Sequence, residues 1–110
     1  MDEVSPLKLP PHSIEAERSV LGGLMLDDNA WDNISGSLAA EDFYRSDHRT
    51  IYRVMGGLVE RNNPLDIITI SEALEGIGEL ENVGGLAYIS DLASSTPTAS
   101  NIKAYAQIVR

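Results

Sequence analysis

Arg45, Arg49 and Arg53 stand at i, i+4 and i+8, a spacing that lines three guanidinium groups along one side of a helix. Such a line could grip a phosphate backbone or an acidic partner, and it holds three of the eight basic residues in the chain. The rival reading is structural, with these arginines paired to nearby acids such as Glu41 and Asp42. A formal net charge of −9 favours the rival, because a polyanion is repelled before contact forms.

Other residue types capable of chemistry lack the spacing it needs. His12 and His48 are the only histidines, with no HExxH and no ligand spacing shared with carboxylates, so both read as terminus or cap residues. Asp27, Asp28 and Asp32 resemble a calcium loop but lack the glycine and bidentate glutamate of an EF-hand, and turn and cap chemistry accounts for them. Neither Lys8 nor Lys103 follows a Gly-rich turn or precedes Ser or Thr, so no Walker-type nucleotide site is expected. The absence of cysteine excludes disulfides, zinc–thiolate sites and thiol catalysis. No catalytic, cofactor-binding or metal-binding residue is assigned in this chain.

A chain of 110 residues suffices for one domain with a real core. Its apolar runs are short, and the opening MDEVSPLK is acidic without an apolar centre, so neither a spanning helix nor a signal peptide is read. A cytoplasmic protein follows, with another protein rather than a membrane as its first-choice partner.

Cap and stop signals divide the chain into a flexible tail, residues 1–10, and a helical domain, residues 11–110. A first helix runs from about Ile14 to Leu26 behind a cap at Ser13, with Glu15 and Glu17 where the helix dipole favours negative charge. Asp27 to Asn29 cap a short second helix, Ala30 to about Ile34, and Ser35 to Ala40 form a loop. A third helix runs from near Ser46 to Arg61 on the stripe Ile51, Met55 and Leu58, stopped by the Asn-Asn-Pro at 62–64. Thr69-Ile-Ser-Glu72 reads as a capping box for a fourth helix that ends at Gly76 or Gly78. A fifth follows from Leu86 to about Ala93, Thr96-Pro97 reads as a cap and first-turn pair, and a sixth carries Ile102, Tyr105, Ile108 and Val109. No segment alternates with period two, so the expected fold is an all-α, compact orthogonal bundle of five or six helices with short connections.

Gly22 and Gly23 lie inside the first helix, at a cost of about 1 kcal/mol each relative to Ala. On a helical wheel Ile14, Leu21, Leu24 and Met25 form a core stripe with Val20 at its border, while Ala16, Ser19 and Gly23 leave a bare ridge opposite, which predicts a helix packed closely on two faces. VLGGLM (20–25), VMGGLV (54–59) and VGGLA (83–87) look alike, but the intervals and flanks fit no helical repeat, and close helix crossing is the expected use.

Four stretches carry a family resemblance: LPPHSIEAERSVLGGLMLD (9–27), DFYRSDHRTIY (42–52), LDIITISEALE (65–75) and VGGLAYISDLASSTPTASNIKAYAQIVR (83–110). In this order and spacing the chain resembles the N-terminal domain of the bacterial replicative DNA helicase, the DnaB family. The resemblance implies an assembly and regulatory module whose copies pair into the collar of a hexameric ring and recruit primase. ATP and Mg²⁺, and contact with single-stranded DNA, would then belong to a RecA-like motor domain of the parent protein and not to these residues. Leu86 and Tyr88, just after a glycine pair, and Tyr105, Ile108 and Val109 in the last helix are the candidate protein interface, with weak dimerisation expected. The competing readings are a stand-alone helical protein-interaction module, which needs an exposed apolar patch, and a weak nucleic-acid-binding domain, which needs the arginine line exposed and unpaired.

Overall fold

A computed structural model describes residues 13–27, 29–96 and 99–110. The tail at 1–10, His12, Asp28 and Pro97 lie outside the described residues.

Six α-helices, with no strand among the described residues, form the fold: α1 (Ile14–Leu26), α2 (Ala30–Ile34), α3 (Ser46–Glu60), α4 (Ile67–Gly76), α5 (Gly85–Ser95) and α6 (Ile102–Val109). A 3-10 turn, Ala40–Asp42, leads into α3. None of these helices is long and apolar enough to cross a membrane. The helix at the centre is α1, which packs on α5, α6 and α3, while α4 bridges α3 and α5. Leu21, Leu24, Phe43, Ile51, Met55, Ile70, Leu74, Ile89 and Leu92 are sealed from solvent between them.

The glycines of α1 explain its central place. A Cβ on Gly22 would lie 1.9 Å from Thr96 Oγ1 and 2.4 Å from the Leu92 carbonyl, and one on Gly23 would lie 3.2 Å from Ile102 Cδ1. Bare backbone at two adjacent positions therefore admits α5 on one side and α6 on the other, and the packing so gained offsets the intrinsic helix penalty. The ridge itself falls differently from the wheel reading. Gly22 makes the tightest contact, Ser19 is only half-buried, and Ile14 and Met25 leave the buried set to Ala16, Glu17, Val20, Leu21, Gly22, Gly23 and Leu24. Nor do the look-alike pairs share this role. A Cβ on Gly56 would make ordinary contact with the Trp31 ring at 3.4 Å, one on Gly57 would meet only the Arg61 guanidinium at 3.5 Å, and Gly84 and Gly85 have φ of 110° and 75° in the turn before α5. That turn requires a left-handed backbone, which glycine adopts without a Cβ clash.

Local capping corrects two assignments. The box on α4 is one turn earlier than Thr69–Glu72: Asp66 Oδ1 accepts from the Thr69 amide at 2.8 Å while Thr69 Oγ1 accepts from the Asp66 amide at 3.0 Å. An aspartate ahead of the threonine takes the N-cap, which makes Thr69 the third residue of the helix rather than its cap. Thr96 serves the helix before it. Its hydroxyl donates to the Leu92 carbonyl at 3.0 Å and closes α5, and Asn101 stands at the N-cap of α6.

Candidate functional site

The most organised polar cluster joins three helices in the interior. Glu17 in the first turn of α1 is 1% exposed and His48 in the first turn of α3 is 0% exposed, so neither can rely on water. Glu17 Oε2 accepts from the Tyr44 amide at 2.6 Å, and Oε1 accepts from the Arg45 amide at 3.4 Å and from His48 Nδ1 at 2.7 Å. The carboxylate thereby covers the amides leading into α3, where no side chain of Arg45 supplies a cap.

Because a carboxylate only accepts, His48 Nδ1 carries the proton, and Nε2 of the neutral ring accepts from the Tyr88 hydroxyl at 2.6 Å. Burial pushes the His48 pKa below the ordinary 6.5, outweighing the hydrogen bond to Glu17 that acts the other way. The Tyr88 ring stacks on His48 with centroids 5.9 Å apart, and the guanidinium carbons of Arg18 and Arg45 lie 5.4 and 5.5 Å from its centroid. Arg18 is held by Asp91 at 2.5 Å, and Arg45 makes a two-point contact with Asp47. Burial also raises the Tyr88 pKa, against the lowering effect of both arginines. This arrangement fastens α1, α3 and α5 to one another, and with His48 fully enclosed it is a structural clasp rather than a reaction centre.

His48 is thus a correction to the reading as a surface cap. Three residues before Ile51 and seven before Met55, it lies in register with the apolar stripe of α3, and Glu17 lies in register with Val20, Leu21 and Leu24 on α1. A polar residue on each of two core stripes is the signal that could have paired them.

The arginine line divides. Arg45 precedes α3 and is paired to Asp47, and Arg49 Nη1 donates to the Phe43 and Tyr44 carbonyls at 2.8 and 3.0 Å. The partners are not Glu41 and Asp42; Asp42 instead accepts from the Ala39 amide at 2.9 Å. Arg53 faces solvent and lines, with Arg61, Val54, Ala73, Ile77 and Glu79, a groove of about 470 Å³ between α3 and α4. Only this last arginine is presented outward without an ion pair among the described residues.

The apolar candidates divide as well. Leu86 on α5 and Ile108 on α6 are each 54% exposed, Tyr105 is half-buried, Val109 is 8% exposed within the core, and the half-buried Tyr88 is engaged by His48. The two helices that carry them, α5 and α6, each pack on α1. Leu86 opens instead onto a groove with Ile68 of α4.

With six helices in place, the glycine-bearing α1 at their centre, comparison with known proteins is decisive. Residues 9–110 match the family model of the DnaB-like helicase N terminal domain. The chain belongs to the DnaB family. It is 45% identical over 108 residues to the replicative DNA helicase DnaB of Haemophilus influenzae, a match covering 98% of this chain and 23% of that protein. It is 42% identical over 109 residues to that of Geobacillus stearothermophilus, covering 99% of this chain and 24% of the relative. The chain therefore spans about a quarter of the length of these helicases. In three dimensions it is similar to the crystal structure of the N-terminal domain of DnaB helicase from Mycobacterium tuberculosis, with a TM-score of 0.88 and 39% identity over 92% of this chain and 70% of that one. A second similar structure, of a DnaB-like replicative helicase and its interactions with primase, has a TM-score of 0.77 and 26% identity over 88% of this chain and 23% of that one. The Glu17–His48–Tyr88 clasp fastens α1, α3 and α5 within this member of the family.

Proposed function

We propose that this chain is the assembly and docking module of a replicative DNA helicase: copies pair into a collar on the hexameric ring, and the collar recruits primase. The observation that carries this reading is the match of residues 9–110 to the helicase N-terminal domain, joined to a similar helicase structure that describes interactions with primase. Unwinding with ATP and Mg²⁺, and contact with single-stranded DNA, belong in this reading to a motor domain of the whole protein. Pairing is assigned to the outer face of α6, where Ile108 is exposed beside the half-buried Tyr105, since Leu86 opens onto a different groove.

Nucleic acid is a weak ligand at most in this reading. Arg45 and Arg49 are already engaged by Asp47 and by loop carbonyls, and the net charge of −9 opposes a phosphate backbone. Sedimentation equilibrium of the wild type and of Ile108→Glu tests the pairing. Loss of self-association in the variant is the expected result, and unchanged association would remove α6 from the interface.

A further inference from the structure

The outer face of α4 carries features that the clasp and the pairing surface leave unused. Ile68, Ser71, Glu72 and Glu75 recur at helical spacing on one side of α4 and, with Leu80 and Leu86, line a groove of about 230 Å³. Ile68 is 72% exposed and Leu86 54%, so two large aliphatic side chains stand in water on its walls. Ser71 is 9% exposed, and its hydroxyl, closed to water, lacks a hydrogen-bond partner among the described residues. An unpaired buried hydroxyl is uncommon in a finished surface, because it has lost water and gained nothing.

We infer that the α4–α5 groove docks an amphipathic helix of a partner protein, whose apolar face seats on Ile68, Leu80 and Leu86 and whose flanking lysines or arginines meet Glu72 and Glu75. The groove is smaller than the roughly 300–1,000 Å³ of small-molecule sites, which fits side chains inserted from a helix better than an enclosed ligand. Charge selects the sign of the partner: the lining holds two carboxylates and no cation, and the chain at −9 steers a basic segment toward it. At this groove the two carboxylates oppose an acidic segment, an anionic membrane and nucleic acid as occupants. The α3–α4 groove is less selective, since Arg53 and Arg61 share it with Glu79. This inference does not depend on the primase reading, because it is defined by the chemistry of the occupant.

The test is titration of the ¹⁵N-labelled chain with a designed helical peptide carrying Leu at i, i+3, i+4 and i+7 and Lys at the flanking positions, alongside a twin with Glu for every Lys. Saturable amide shifts at Ile68, Ser71, Glu72, Glu75 and Leu86 with the Lys peptide alone are expected. Ile68→Ser should weaken binding by about tenfold or more, as loss of a central apolar anchor does. The double reversal Glu72→Lys with Glu75→Lys should exchange the preference, losing the Lys peptide and gaining the Glu twin. Both changes lie on exposed positions, so folding is preserved and checked by the unaltered spectrum of the remaining core. Shifts centred on Arg53 and Arg61, affinity indifferent to the charge reversal, or no saturable binding would each overturn the inference. Concentration-dependent shifts of the groove without peptide would do the same in favour of a second copy.

Discussion

Where α1, α3 and α5 meet, a carboxylate, an imidazole and a phenol are shut away from most solvent and each finds its partner within 2.7 Å. On the outer face of α4 the opposite holds: a closed-off serine hydroxyl has no partner among the described residues, and Ile68 and Leu86 stand in water. The first region is complete within the chain and contributes rigidity. The second is incomplete, and it is the groove proposed above for docking. In this chain the residues that fasten the helices are distinct from those that line that groove.

The contrast is broken most severely at Glu17. Glu17→Leu leaves the Tyr44 amide and the His48 N–H buried without an acceptor, and a loss of about 3–5 kcal/mol in stability is expected from chemical denaturation. Glu17→Gln, which keeps one acceptor oxygen, should lose less. If Glu17→Leu left the unfolding midpoint unchanged, the clasp would contribute nothing.

Helix contact gives the next largest effect. Gly22→Ala places a methyl against both Thr96 and the Leu92 carbonyl, so α5 must shift, with an expected cost of about 1–3 kcal/mol. Gly57→Ala meets only ordinary contact and should gain up to about 1 kcal/mol from helix propensity. Thermal melts of the two variants moving in the same direction would contradict the distinction between these look-alike glycine pairs.

The pH response of the clasp follows from the depressed pKa of His48. Above the ordinary histidine value of about 6.5, the ring is neutral in both states and its contribution to stability is full. As the pH falls below that value, the unfolded chain binds a proton that the buried ring resists, and stability declines toward the folded-state pKa. Wild-type unfolding free energy should therefore fall as the pH drops below about 6.5, and His48→Gln should be less stable at neutral pH with a flatter profile. Parallel profiles would assign the pH response to other groups. At the small end, Ile68→Ser on the exposed face of α4 should leave stability within about 0.5 kcal/mol of the wild type, separating docking from folding.

Helix order and boundaries were legible because they are written locally. Ser13 caps α1 through a 3.1 Å bond from the Ala16 amide, and the Asn-Asn-Pro at 62–64 stops α3. The box on α4 was displaced by one turn because Asp66, not Thr69, wins the cap, and Thr96 was misread because a residue between two helices can serve either. The clasp was hidden for a different reason. Glu17 and His48 are 31 residues apart, and each has a satisfactory local reading as a dipole acid or a first-turn residue, so only their registration with core stripes betrays them. The glycine pairs carried the reverse problem: similar sequence, but a helix contact, an ordinary helical face and a left-handed turn in space. The apolar candidates on the last two helices were identifiable by composition, yet which of them stay exposed depends on how α1 receives both helices, which no local pattern encodes.

The central claim, that this domain is a preformed platform on which primase docks, is tested most directly by calorimetry with the helicase-interacting region of primase. Titrations of this chain and of a full-length DnaB helicase carrying this domain in place of its own are compared at one salt concentration. Saturable but weak binding is predicted for the 110 residues alone, and tighter binding for the longer chain, by as much as about 10²- to 10⁴-fold where several contacts act together. Absence of binding by both would contradict the docking role, and equal affinity would show that the site is complete within this domain.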